Sequence, residues 1–192
     1  VSYIGLTPLA ALMKNSGLAL YDIEHFPDIH GGTIRSYVAR AGERKPTARL
    51  AEALRKEEDF GIKDPRAYDA FAKRVLDNRE RLRGLVKALN AQDKTVWAYG
   101  ASAKGNTLMN FFGLDAQSVP RAIDDNPKKW GYLTPGARIE IVGIESLKSA
   151  KVDCLLLLAW NFEKEIRQRC QAAGYAGQFL LPVPEARIVS AN

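Results

Sequence analysis

The sequence predicts an α/β protein whose larger part, residues 93–192, is a Rossmann-like parallel sheet covered by helices on both faces. Three observations carry this. The runs at 95–99 and 152–159 are continuously apolar, as strands buried on both faces are. Helical stretches separate them, the alternation that builds a parallel sheet. The first run also opens into a small-residue loop, Gly100-Ala-Ser-Ala-Lys-Gly105, followed by an amphipathic stretch at 106–112 and a second apolar run ending on Asp124 and Asp125. Strand, glycine-containing turn, helix and a strand ending in acid is how a nucleotide-binding βαβ unit begins.

Taken in order, residues 7–17 read as a helix with Thr7 as N-cap, Pro8 in the first turn and Gly17 as the stop. Residues 18–26 and 33–40 follow as a pair of strands. Tyr3, Leu9, Leu12, Met13 and Phe26 give this piece an apolar face, and one helix with two strands is expected to be too little for a core. Helices are predicted over 46–58 and 65–90, the second with apolar residues at Tyr68, Phe71, Ala72, Val75, Leu82, Leu85, Val86 and Leu89 and with Asp64-Pro65 at its start. After residue 93 come strands at 138–142, 152–159 and 178–182, with helices at 145–150 and 162–174. The expected division is 1–43, 44–92 as a helical connector, and 93–192.

With 46% hydrophobic and 26% charged residues, the chain can bury a core as an ordinary water-soluble protein does. No apolar run approaches a membrane span, so no membrane partner is expected. The start at Val1 has no basic n-region or cleavage site, so it is expected to be the cut end of a longer chain rather than a secretory precursor. Cys154 and Cys170 are the only cysteines, which fits a cytoplasmic protein with neither disulfide nor metal site. The net charge of +6 raises nucleic acid as a partner, but the basic residues at 40–83 are interleaved with acids. They read as a solvated helical face, which leaves small anions as the partner class and no nucleic acid.

The candidate binding residues cluster after the sheet's strands. Gly100 and Gly105 allow close backbone approach, Lys104 brings charge, and Ser102 and Asn106 bring donors for a phosphate. The plain alternative is a tight turn. The dinucleotide pattern would need Gly where Ser102 stands, and a Walker loop would need Lys after Gly105. Asp124 and Asp125 could hold sugar hydroxyls, or Asn126-Pro127 could make this only a turn. Lys128, Lys129 and Tyr132 are candidate anion contacts. Trp160 could stack on a base or pack, and Asn161 is expected to cap the next helix. His25 and His30 lie near Glu24, but no nucleophile is close in sequence and alternation puts Glu24 and His25 on opposite faces, so both read as surface positions.

Six segments occur in one register: His30-Gly-Gly-Thr-Ile-Arg35, Gly100-Ala-Ser-Ala-Lys-Gly-Asn106, Ile123-Asp-Asp-Asn-Pro127, Thr134-Pro-Gly136, Leu158-Ala-Trp-Asn161 and Phe179-Leu-Leu-Pro-Val-Pro184. Together they resemble the C-terminal region of bacterial S-adenosylmethionine-dependent C-methyltransferases that act on nucleotide-linked deoxysugars. The resemblance covers essentially the whole chain. It implies a parent with an N-terminal zinc-binding segment, a central methyltransferase domain and a C-terminal Rossmann-like domain that helps hold the nucleotide-sugar. Residues 1–43 are then the closing helix and hairpin of the methyltransferase domain, and that upstream domain is an expected partner.

In such a parent a proton next to a sugar keto group is removed and the carbanion takes the sulfonium methyl. The family's Tyr-x-Glu-His catalytic segment lies ahead of the stretch that starts at Val1. Tyr21-Asp-Ile-Glu-His25 has one residue too many and takes no catalytic role, so catalytic residues stay unassigned here. The cofactor of the parent is S-adenosylmethionine, whose site is largely outside this chain. The reading is therefore a nucleotide-sugar-anchoring portion inactive by itself. The alternative is a stand-alone nucleotide-binding module without catalysis. Either copies of the chain are expected to self-associate through the apolar face of 1–43, or that segment is expected to be locally disordered.

Overall fold

Glycines and short polar side chains set most element ends. Gly17 (φ 72°) turns the chain from helix α1 (Leu6–Asn15) into strand β1 (Leu18–Phe26), and Gly61 (φ 78°) closes α2 (Ala48–Phe60). At the other end of α2, the Thr47 hydroxyl accepts from the Leu50 N–H. Helix α3 (Pro65–Asn90) starts on its proline, with the Asp64 carboxylate accepting from the Arg66 N–H at 3.0 Å. This computed structural model describes residues 4–27, 29 and 32–190; the readings placed on Tyr3, His30 and Gly31 lie outside the described residues. The chain forms two compact units, Val1–Lys73 and Arg74–Asn192, with the division inside α3.

In the first unit β1 pairs antiparallel with β2 (Thr33–Arg40), with a bulge between Leu20 and Asp22. The helix and hairpin do find a core, because α2 adds to it: Leu6, Leu20, Ile23 and Leu50 are buried together, with Leu9, Ala53 and Leu54 against them. Leu9 thus leaves the expected uncovered face, while Leu12 stays 51% exposed. Thr7 is not the N-cap of α1. Gly5 holds that position without a side chain, and the Glu57 carboxylate from α2 accepts from the Leu6 and Thr7 N–H groups at 2.6 and 2.7 Å.

The second unit is a six-stranded sheet in the order β5-β4-β3-β6-β7-β8. Its strands are β3 (Val96–Tyr99), β4 (Arg121–Ile123), β5 (Glu140–Val142), β6 (Cys154–Leu157), β7 (Gln178–Leu181) and β8 (Arg187–Val189). The first five are parallel and β8 is antiparallel to β7. Alternation along the central strands sends Val96, Ala98, Ala122 and Leu156 to one face, packed with Leu82, Val86 and Leu89 of α3 and Met109 and Phe112 of α4 (Ala103–Phe112). Trp97, Tyr99, Ile123 and Leu157 go to the other, packed with Ile166 and Cys170 of α5 (Glu163–Ala172). The predicted α/β sheet with helices on both faces is present.

Three details differ from the sequence reading. The 145–150 helix is a 3₁₀ segment, Ile144–Lys148. Asn161 does not cap α5: it lies inside a 3₁₀ turn, Trp160–Phe162, and the cap residue is Phe162, with no side-chain bond. Strand β8 was not anticipated, and long-range contacts hold it. Asn78 of α3 donates to the Pro182 carbonyl (2.8 Å) and accepts from the Ala186 N–H (2.6 Å), while Arg81 donates to the Ala186 carbonyl (2.6 Å).

Candidate functional site

Strands β3, β4 and β5 run outward on one side and β6, β7 and β8 on the other, so the order reverses between β3 and β6. In open α/β sheets, ligands enter the crevice at the carboxyl ends of the strands flanking such a reversal. Here those ends lead into Gly100 and Ala159. Gly100 has φ 101°, and a Cβ on it would stand 3.0 Å from Ala159 Cβ and 3.2 Å from its nitrogen. Only glycine lets the two loops close this far.

The loop is shorter than its sequence suggests. Helix α4 begins at Ala103, so Lys104 and Gly105 belong to its first turn, and Ser102 is the N-cap whose hydroxyl oxygen accepts from the Gly105 N–H at 3.1 Å. Gly105 is buried because α4 crosses the sheet closely: a Cβ there would stand 2.8 Å from both the Gly100 carbonyl oxygen and Leu158 Cβ. The N–H groups of Ser102, Ala103 and Lys104 have no acceptor among the described residues, as the first turn of a helix leaves them. The Lys104 side chain is exposed beside them. Asn106 is half-buried, and its backbone carbonyl accepts from Asn110 Nδ2 at 2.8 Å. Asn110 also donates to the Pro135 carbonyl (3.0 Å), and Gly136 (φ 76°) has no room for a Cβ beneath it.

Asp124 and Asp125 follow β4 and part to opposite faces of the sheet, as successive strand residues do. Asp124 is 8% exposed. Its Oδ2 accepts from the Ala101 N–H (2.9 Å) and the Lys129 ammonium (2.9 Å), and its Oδ1 from the Asn126 N–H (3.0 Å). Lys129 donates as well to the Ala101 carbonyl at 3.0 Å. Trp130 Nε1–H donates to the Asp124 carbonyl (2.7 Å), and its ring lies over Gly143, where a Cβ would be 2.8 Å away. Lys128 is exposed, and its own N–H is held by the Asn126 side chain.

Asp125 turns to the α5 side. Its carboxylate accepts from the Tyr99 hydroxyl (2.7 Å) and from the Arg169 guanidinium. Burial, then the hydrogen bond to Asp125, pushes the Tyr99 phenol well above its ordinary pKa, so it stays protonated and donating. Tyr99 and Arg169 were not singled out from sequence. Tyr99, as the last residue of the central strand, could have been found by its position; Arg169, on a helix 44 residues from Asp125, carries no such signal.

Trp160 is half-buried where β6 ends and lines a surface groove of about 590 Å³ with Glu163, Lys164, Arg167 and Gln168. The strand ends therefore bring Gly100 against Ala159, while the groove beside Trp160 is lined by residues from 160 to 171 and includes neither Ser102 nor Lys104. They do not present Asp124 and Asp125 as a pair. In the first unit the Glu24 carboxylate accepts from Arg35 (3.1 Å) and Tyr37 (3.0 Å), and His25 is exposed. Cys154 and Cys170 are buried, and burial pushes both thiols up to about 12, so neither is a ready nucleophile. Among the described residues no group of three or more His, Cys, Asp or Glu could hold a metal ion, and no helix is long and apolar enough to cross a membrane.

Comparison with known proteins agrees with this architecture. Residues 28–184 match the C-methyltransferase C-terminal domain family. The chain is 36% identical to the C-methyltransferase NovU of Streptomyces niveus over 193 residues, which cover 100% of this chain and 46% of the relative. It thus spans about half the length of the curated relative it matches. On a match of this extent, the chain belongs to the C-methyltransferase C-terminal domain family.

Proposed function

We propose that residues 93–192 anchor a nucleotide-linked keto-deoxysugar for carbon methylation by a larger S-adenosylmethionine-dependent enzyme. A methyltransferase domain of that enzyme would be the partner of this chain. The observation that carries the proposal is the crevice between β3 and β6. There, three N–H groups without acceptors among the described residues and the exposed Lys104 stand at the start of α4, just after Gly100, which closes on Ala159, the residue before Trp160. Helix N-termini with free N–H groups favour phosphate oxygens through directed hydrogen bonds and the helix dipole. The diphosphate would lie against Ser102, Ala103 and Lys104, and the base or sugar would extend toward Trp160.

The residues present do not fit S-adenosylmethionine. Gly100 and Gly105 are packed against Ala159 and Leu158 rather than opening on a cradle, and the acid after β4, Asp124, has its oxygens taken by Ala101, Asn126 and Lys129. The contribution assigned to this chain is substrate positioning, which raises the rate by holding the reacting carbon in place. It is expected to transfer no methyl group alone. Turnover of labelled S-adenosylmethionine with keto-deoxysugar nucleotides above background would overturn that.

Calorimetric titration with thymidine and uridine diphosphates tests the anchoring role. A charge-assisted hydrogen bond contributes about 1.5–3 kcal/mol, so Lys104→Ala should weaken binding by roughly ten- to a hundredfold with the fold unchanged. Equal and negligible binding of both nucleotides, or no effect of Lys104→Ala, would reduce the loop to a turn.

A further inference from the structure

We infer that Asp124 and Lys129 are positioning residues that together hold the two peptide units flanking Ala101 and keep the loop electrically balanced. They do not themselves contact ligand. Both backbone polar groups of Ala101 are claimed, one in each of its flanking peptide units: its N–H donates to Asp124 Oδ2 and its carbonyl accepts from Lys129 Nζ, while the two side chains pair with each other at 2.9 Å. The third bond, from the Asn126 N–H to Asp124 Oδ1, fixes the carboxylate in plane. Ala101 sits between the glycine that closes on Ala159 and the serine that caps α4, so fixing its two flanking peptide units fixes the direction of the Ser102 N–H and the entry into α4.

The charges matter as much as the hydrogen bonds. Asp124 is nine-tenths buried and accepts from the Ala101 N–H, one residue before the first free N–H at Ser102. Unpaired, its negative charge would repel an incoming phosphate at short range through a poorly screening medium. Lys129 removes that repulsion without offering a free cation of its own. Anion affinity is then left to the three N–H groups and Lys104. This assigns Asp124 a role opposite to the sugar-hydroxyl contact that its place after β4 suggests. The charge-balancing half rests on the anion site proposed above; the clamping half does not.

Substitutions that change charge but keep polar contacts separate the possibilities. Asp124→Asn removes the negative charge and leaves Lys129 uncompensated, so thymidine diphosphate and inorganic phosphate should bind roughly five- to tenfold more tightly. Lys129→Gln keeps a donor toward Ala101 but exposes the Asp124 charge, so both probes should bind weaker by a similar factor. The double variant should return close to wild type. If both single variants shift affinity in the same direction while the wild type binds, charge balance is overturned and the anion site stands. If the wild-type chain binds neither probe, the anion site and the charge-balancing half fall together. Hydrogen exchange then decides the clamp: Asp124→Ala should speed exchange of the Ala101 amide about tenfold, and an unchanged rate overturns it.

Discussion

The N-termini of α1 and α4 meet the same physical demand in opposite ways. Each begins a ten-residue helix whose first N–H groups lack intrahelical partners. At α1 a carboxylate from 50 residues away, Glu57, fills the end and accepts from both Leu6 and Thr7. At α4 the nearby Ser102 satisfies one donor, and the others have no acceptor among the described residues. One helix end has its anion supplied by the protein. The other is placed at the sheet's reversal point with its donors unfilled. A helix terminus is therefore not a site by virtue of being a terminus; what the rest of the fold puts in front of it decides.

The largest expected effect comes from the glycines at the two ends. A Cβ at Gly105 meets backbone oxygen and Leu158 Cβ at 2.8 Å, groups that cannot swing away. Gly105→Ala should therefore destabilise the second unit by about 1–3 kcal/mol through overpacking, and blunt nucleotide binding with it. A Cβ at Gly5 meets only side-chain ends, Glu57 Oε1 and Ile62 Cδ1, at 2.9 Å. Gly5→Ala should cost less than about 1 kcal/mol, because these ends can move. Denaturant unfolding of both variants checks the pair, and equal costs would break the comparison.

Next in size is the filled end itself. Burial raises the pKa of Glu57, but the Thr7 side chain and then the Thr7 and Leu6 N–H groups more than offset this and leave it below its ordinary 4.5. A carboxyl with a depressed folded pKa contributes stability that is present above the ordinary value and is lost as pH falls through the lower, folded one. Glu57→Ala should cost the first unit about 1–2 kcal/mol at neutral pH. The variant's unfolding midpoint should also depend less on pH below 4.5 than the wild type's does. Parallel acid profiles for the two proteins would count against the cap.

The smallest effect is expected at the open end. Ser102→Ala removes one cap bond and should lower stability by about 1 kcal/mol, within the range for N-cap serines. Because that hydroxyl is spent on Gly105, thymidine diphosphate affinity should change by less than about threefold, a shift of roughly 0.6 kcal/mol. A larger loss in titration would mean that the Ser102 hydroxyl, and not only its N–H, touches the ligand.

Much of this protein follows from its sequence alone, because the signals are local. Proline at the start of α3 and glycine after α1 place those ends where they are found, since each acts through the backbone of its own residue. The continuous apolar runs of β3 and β6 likewise announced a sheet buried on both faces. What only the tertiary structure decided is where the long-range polar groups go. Glu57 caps a helix 50 residues earlier, Asp124 and Asp125 diverge to Ala101 and Arg169, and Asn78 and Arg81 hold the turn before β8. A carboxylate's chemistry is written in its own residue, but its partner is set by which backbone the packed sheet and helices bring within 3 Å, and spacing along the chain carries no record of that distance.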